Sequence, residues 1–195
     1  MIRAIRYGAL GMAAVLTAIF AYTYFTGGTP PIKPMIDIGG PFRLASSKGG
    51  VVDSNDLTGK PYAIFFGFTH CPEVCPTTLY EMSAVLGKLG DKAKDFHVFF
   101  VTVDPGRDTV EAMRDYVANF DPRVEALVPT PEQLQQIAKD FRVYFAKVPT
   151  SDGSYTMDHT ATVFLMDGET HLASTIAFGE NQETREAKLR KLLGL

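Results

Sequence analysis

Lysine and arginine gather nowhere in this sequence; no basic stripe and no basic run interleaved with aromatics occurs along its 195 residues. With 19 Lys and Arg against 22 Asp and Glu the signs nearly balance, which argues against nucleic acid as a partner. Internal repeats and low-complexity tracts are absent too, so nothing competes with one globular domain carrying an extra segment. Cysteine is scarce: Cys71 and Cys75 are the only two. A chain of this length builds a core without disulfide staples. Neither cysteine lies near the apolar N-terminal stretch, which excludes a lipid-modified cysteine there.

That stretch, 7–25, carries no charge over roughly nineteen residues, enough to cross a bilayer core of about 30 Å. Arg3 and Arg6 precede it and no basic residue follows until Lys33, so the positive-inside bias leaves the N-terminus in the cytoplasm and sends the remainder across. Residues 1–25 are therefore expected to be a cytoplasmic stub and a transmembrane anchor. The apolar run is longer than most signal-peptide cores and no clear A-x-A site follows it, which disfavours cleavage. Residues 26–40, TGGTPPIKPMIDIGG, are rich in Gly and Pro and read as a linker. The folded domain is expected over 41–195, in an extracytoplasmic and oxidising compartment. A cysteine pair persists there as a disulfide unless something reduces it or a metal holds it.

Both cysteines sit in FFGFTHCPEVCPTTL. The apolar run 62–68 reads as a buried strand, and Pro76 suits the first residue of a following helix, where a missing N–H costs little. Cys71 and Cys75 thus occupy a strand-to-helix turn. Residues four apart in a helical turn have α-carbons roughly 6 Å apart, which suits a disulfide and equally suits two thiolates on one metal ion. The free N–H groups of a helix start also favour the thiolate.

The rest of the chain alternates. A short hairpin over 42–45 and 51–53 precedes the first core strand. Apolar residues Leu79, Met82, Val85, Leu86 and Leu89 recur at helical spacing over 76–89, and 96–103 is a second buried strand, so the unit is parallel with a right-handed crossover. Both strands then end at the same sheet edge, which brings Asp104 near the thiols. Asp108 with Glu111 reads as the N-cap of the next helix, and Thr130, Pro131 and Gln133 as the start of another after a strand over 125–128. A strand over 143–148, an uncommitted loop ending in His159, a hairpin over 161–177 turning at Asp167 and Gly168, and a helix over 183–193 complete the order. This is the pattern of a thioredoxin-like α/β sandwich with a central mixed sheet and helices on both faces.

Of four histidines, His97 and His171 read as structural or solvent-facing, and His70 points away from its neighbour Cys71. His159 ends a loop just before a core strand and can lie over the cysteine turn. Two thiolates and one imidazole form a soft set that suits Cu(I) and accepts Cu(II). Zinc fits less well, because a closed structural site wants four ligands and there is no second pair.

These segments resemble the Sco/SenC family, copper-binding thioredoxin-fold proteins of cytochrome c oxidase assembly. FTHCPEVCPTTL, VTVDPGRDT, FRVYFAKV and MDHT look like the family's signatures in the family's order, over essentially 42–193. The resemblance implies that Cys71, Cys75 and His159 bind copper, as Cu(I), Cu(II) or both. It makes Asp104 a residue near the site and Asp158 a supporting partner of the ligands. It further implies a metallochaperone for the dinuclear copper centre, with the oxidase's copper-site subunit as partner and a periplasmic copper donor upstream. The location implied is a bacterial inner membrane, with the domain in the periplasm. Reduction of the oxidase cysteines by the same thiols is the alternative. Thioredoxin-type enzymes, however, space their cysteines by two residues and place a proline where this chain has Asp158, His159 and Thr160. A peroxiredoxin-like peroxidase would require Pro at 68 and Thr at 72, where Phe68 and Pro72 stand.

Overall fold

The computed structural model describes residues 2–26 and 38–195. Most of the expected linker lies outside the described residues. The chain divides into two units, 1–36 and 37–195, each compact in itself.

The first unit contains helix α1, Ile2–Thr26. Its large described apolar side chains, among them Leu10, Met12, Val15, Leu16, Ile19 and Phe20, are exposed. Among the residues whose side chains are described, no helix is long and apolar enough to cross a membrane.

The second unit contains β1 (Arg43–Ser46), β2 (Val51–Asp53), β3 (Tyr62–Gly67), α2 (Val74–Leu89), β4 (His97–Thr102), α3 (Val110–Val117), β5 (Val124–Val128) and α4 (Pro131–Asp140). There follow β6 (Phe145–Pro149), β7 (Tyr155–His159), β8 (Thr162–Met166), β9 (Leu172–Ala177) and α5 (Gln182–Leu193). Seven strands form one mixed sheet in the order β2-β1-β5-β4-β3-β8-β9. β3, β4 and β5 are parallel, with Tyr62 opposite His97 and Gly67 opposite Thr102. β8 runs antiparallel to β3, and β1 antiparallel to β5. This is the expected thioredoxin-like arrangement.

β3 is buried along its whole length, as a central strand covered on both faces must be. Alternation puts Phe65 on one face, where it stacks on Phe100, and Phe100 stacks in turn on Tyr116 of α3. Phe66 takes the other face and meets Phe141, at the end of α4, and Phe164 of β8. Each such ring, withdrawn from water, stabilises the fold by about 1.5–3 kcal/mol. The sheet edge that carries the thiols is therefore a stiff platform.

Three local expectations need correction. α2 starts at Val74, not at Pro76; the proline still lies within the first turn, whose N–H groups have no helical partner. Asp108 is not the cap of α3: Thr109 is, its hydroxyl accepting from the Ala112 N–H, and the Asp108 side chain turns inward instead. The segment before His159 is not an uncommitted loop. It is a hairpin, β6 paired with β7 from Phe145 opposite His159 to Pro149 opposite Tyr155, and it forms a two-stranded sheet of its own. The capping box of α4 is as expected, with Thr130 and Gln133 each bonding the other's backbone N–H.

Candidate metal centre

β3 ends at Gly67, and the chain turns so that the Cys71 N–H donates to the Phe68 carbonyl at 3.3 Å. Helix α2 begins with no side-chain cap from Glu73. Its place is taken by sulfur: the Cys75 N–H donates to Cys71 Sγ at 3.3 Å. A sulfur at that position feels the positive end of the helix and a free donor together. Both cysteines are buried and free of any disulfide.

The proton distribution follows from this contact. The Cys71 thiol is lowered to about 4, above all because the Cys75 S–H donates to its thiolate. Burial opposes the shift, whereas the N–H groups of Cys75 and Glu73 favour it. The Cys75 thiol is pushed far up, first by donating to Cys71, then by burial and by the negative charge beside it. The pair shares one proton.

Room for Cys75 depends on the absence of a side chain at Gly67. A β-carbon there would lie 2.5 Å from Cys75 Sγ and 2.7 Å from Phe100 Cε2. Only glycine lets the helix start come so close to the strand.

His159, the last residue of β7, brings the third atom. Its Nε2 is 3.6 Å from Cys75 Sγ, and its ring stands edge-on to Phe65 and Phe68. Nδ1 lies 3.1 Å from the Thr160 carbonyl; a carbonyl only accepts, so Nδ1 carries the proton and Nε2 turns its lone pair to the sulfurs. The two Sγ atoms and the imidazole nitrogen all lie within 4.8 Å of one another. Among the described residues this is the one group of three His, Cys, Asp or Glu side chains that could hold a metal ion.

Asp104 is buried nearby but faces the hairpin, bonded to Arg107 and to the Tyr155 hydroxyl. Asp158 is exposed. As the strand neighbour of His159 it points to the opposite side, and the Thr160 carbonyl takes the position expected for it. His70 is exposed and meets the Thr69 hydroxyl. His97 stacks on Phe99 at the far end of β4, and His171 is exposed in the β8–β9 turn. Gly67, Arg107 and Tyr155 escape the sequence reading, and Asp108 reads there as a cap. Gly67 has a signal, a lone glycine in a run of bulky apolar residues; Arg107 and Asp108 lie within VTVDPGRDT, which does not give their contacts, and Tyr155 has no signal.

The SCO1/SenC family profile matches residues 31–194. The chain belongs to the SCO1/SenC family. Relatives include a human mitochondrial protein SCO1 homolog, 39% identical over 142 residues, and an Arabidopsis thaliana mitochondrial protein SCO1 homolog 1, 36% identical over 147. The matches cover 70% and 75% of this chain but 46% and 43% of those relatives, so the chain spans about half their length. Among solved structures of the family, copper-bound ScoI of Bradyrhizobium japonicum is 44% identical with a TM-score of 0.74, covering 80% of this chain and 99% of that one. Copper-bound ScoI of Arabidopsis thaliana is 33% identical with a TM-score of 0.75, covering 80% and 98%.

Proposed function

We propose that the protein binds one copper ion through Cys71, Cys75 and His159 and acts as a copper-binding assembly factor for the dinuclear copper centre of cytochrome c oxidase. The convergence of two sulfurs and one imidazole nitrogen within 4.8 Å carries this reading. The donor set suits the ion: two thiolates satisfy Cu(I), and the imidazole makes Cu(II) acceptable. Cys71 already holds thiolate character at neutral pH. Cys75 must release the shared proton when copper arrives, and a cation between the sulfurs offsets the negative charge that otherwise holds that proton in place. Transfer would go to the oxidase's copper-site subunit, with a periplasmic donor supplying the ion.

A second reading is favoured by one specific observation. A lowered thiol at a helix start beside a protonated one is also the arrangement of a thiol–disulfide reductant. In that reading the Cys71 thiolate attacks a disulfide of the oxidase site to form a mixed disulfide. Cys75, losing its proton, then displaces the partner thiolate, leaving Cys71–Cys75 oxidised and the partner reduced.

The same proposal takes α1 as a single-pass anchor in a bacterial inner membrane, with the domain in the periplasm. Supporting it are the order of Arg3 and Arg6 before the apolar run and the exposure of apolar side chains around α1, a distribution that lipid would cover.

Copper titration of the full chain in detergent tests the metal reading. One ion per chain is expected with both thiols reduced and none with Cys71 and Cys75 joined as a disulfide. Binding that survives complete oxidation removes these residues from the site.

A further inference from the structure

The three ligand atoms come from two pieces of the domain. Cys71 and Cys75 belong to the stiff β3–α2 edge. His159 belongs to a hairpin outside the main sheet, whose β6 is half-buried to exposed and which stands over a cavity of about 300 Å³ lined by Val103, Leu134, Phe145 and Met157. Close packing alone therefore does not fix the distance between imidazole and sulfurs.

We propose that segment 104–108, between β4 and α3, is a bracket that sets this distance, with Arg107 the positioning residue for the histidine hairpin and Asp108 for the cysteine turn. Arg107 Nε donates to Asp104 Oδ2 at 2.5 Å and Nη1 to the Tyr155 carbonyl at 2.9 Å. Its guanidinium carbon lies 3.8 Å from the centre of the Tyr155 ring. The Tyr155 hydroxyl closes the triangle by donating to Asp104 Oδ1 at 3.1 Å. Tyr155 opens β7 and His159 ends it, so holding one end of a five-residue strand holds the other.

The opposite arm is Asp108, fully buried. Its Oδ2 accepts from the Thr69 N–H at 3.0 Å and the Thr102 hydroxyl at 2.7 Å, and its Oδ1 accepts from the Thr69 hydroxyl. Thr69 lies two residues before Cys71. The Asp108 N–H donates to the Asp104 carbonyl at 3.0 Å, so both arms spring from one turn. A planar fork that bonds a carboxylate and a carbonyl while stacking on a ring is something lysine cannot reproduce.

The bracket rests on the metal reading for its purpose, but it is measurable without metal. In the full chain, copper-free, Arg107→Ala is expected to speed amide exchange across 155–159 at least tenfold while 74–89 stays unchanged. Asp108→Asn is expected to speed exchange at 69–75 and spare 155–159. With Cu(II), Arg107→Ala should weaken binding about 10–100-fold, the range for residues that orient a ligand, and Arg107→Lys should recover only part of it. If Arg107→Ala does not fold, Arg107→Lys and Tyr155→Phe carry the same two readouts with smaller effects. Wild-type exchange and wild-type Cu(II) affinity in the Arg107 variants, in a protein where His159→Ala does weaken copper, overturn the bracket alone. Wild-type copper affinity in His159→Ala overturns the metal reading, and amide exchange then still decides the bracket.

Discussion

Cys75 Sγ and His159 Nε2, separated by 84 residues in the chain, lie 3.6 Å apart. The contact joins a helix start fixed by the core to a strand end outside the main sheet. Its chemistry therefore depends on two placements, one set by packing and one by polar contacts.

Gly67 tests the first placement. A methyl group there meets both Cys75 Sγ and Phe100, neither of which can retreat from a filled core. Gly67→Ala is expected to destabilise the domain by about 1–3 kcal/mol, the usual cost of overpacking. It should also displace Cys75, so copper binding falls more than the melting temperature alone accounts for. Thermal unfolding and copper titration on one preparation check this; a variant with wild-type affinity shows that the close approach is unimportant.

Legibility in the sequence tracked how local each cause was. The capping box at Thr130 and Gln133 is written in four residues and was read correctly. The buried strands β3 and β4 announce themselves by unbroken apolar runs. Of the β6–β7 hairpin only the first strand, expected over 143–148, is legible; β7 is five residues long and mostly only half-buried, and its register is set by pairing across a turn with weak signals. Asp108 was misread for a related reason: an aspartate before an acidic partner looks like a cap, and nothing near it in sequence reveals Thr69, 39 residues earlier, as its partner. Short motifs single out Cys71, Cys75 and His159 as candidates, and the structure brings their ligand atoms within 4.8 Å of one another, whereas the contact between Arg107 and Tyr155 is visible only in three dimensions.

Proton sharing between the thiols predicts a pH signature in the reduced, metal-free protein. Cys71, lowered to about 4, is thiolate throughout pH 6–8, so its alkylation rate should be nearly flat there. An ordinary thiol near 8.5 gains roughly 80-fold in thiolate over the same interval. Linkage has a definite sign. By about pH 4 the native pair has lost one proton, whereas two unfolded thiols keep both until about 8.5. The unfolded state thus binds more protons between these values, and the pair's contribution to stability rises with pH across that window and is lost as pH falls through about 4. Mass-resolved alkylation and denaturant titration across the range measure both effects; a steep rise in Cys71 reactivity above pH 7 contradicts the assignment.

Topology gives a third expectation. With α1 as an uncleaved anchor, a phosphatase fused after Leu195 should be active, because that enzyme folds only outside the cytoplasm. Recovery of a soluble periplasmic chain lacking residues 1–25 shows cleavage instead.

His159→Ala separates copper carrier from thiol reductant, because only one of those roles needs the imidazole. Disulfide exchange requires an attacking thiolate and a resolving thiol, both present in the variant, and the main cause of the lowered Cys71, the Cys75 S–H, is untouched. The Cys71–Cys75 disulfide should therefore form and break at rates of the same order as in the wild type. Copper retention should not survive so well. Loss of a residue that merely orients a ligand costs about 10–100-fold in affinity, and loss of the nitrogen itself should cost at least that, most of all for Cu(II), which two thiolates hold poorly. Cells carrying the variant are expected to lose oxidase assembly under limiting copper while the purified protein keeps its thiol chemistry. Wild-type assembly with His159→Ala would take the copper role away from this site and leave the reduction of partner disulfides as its function.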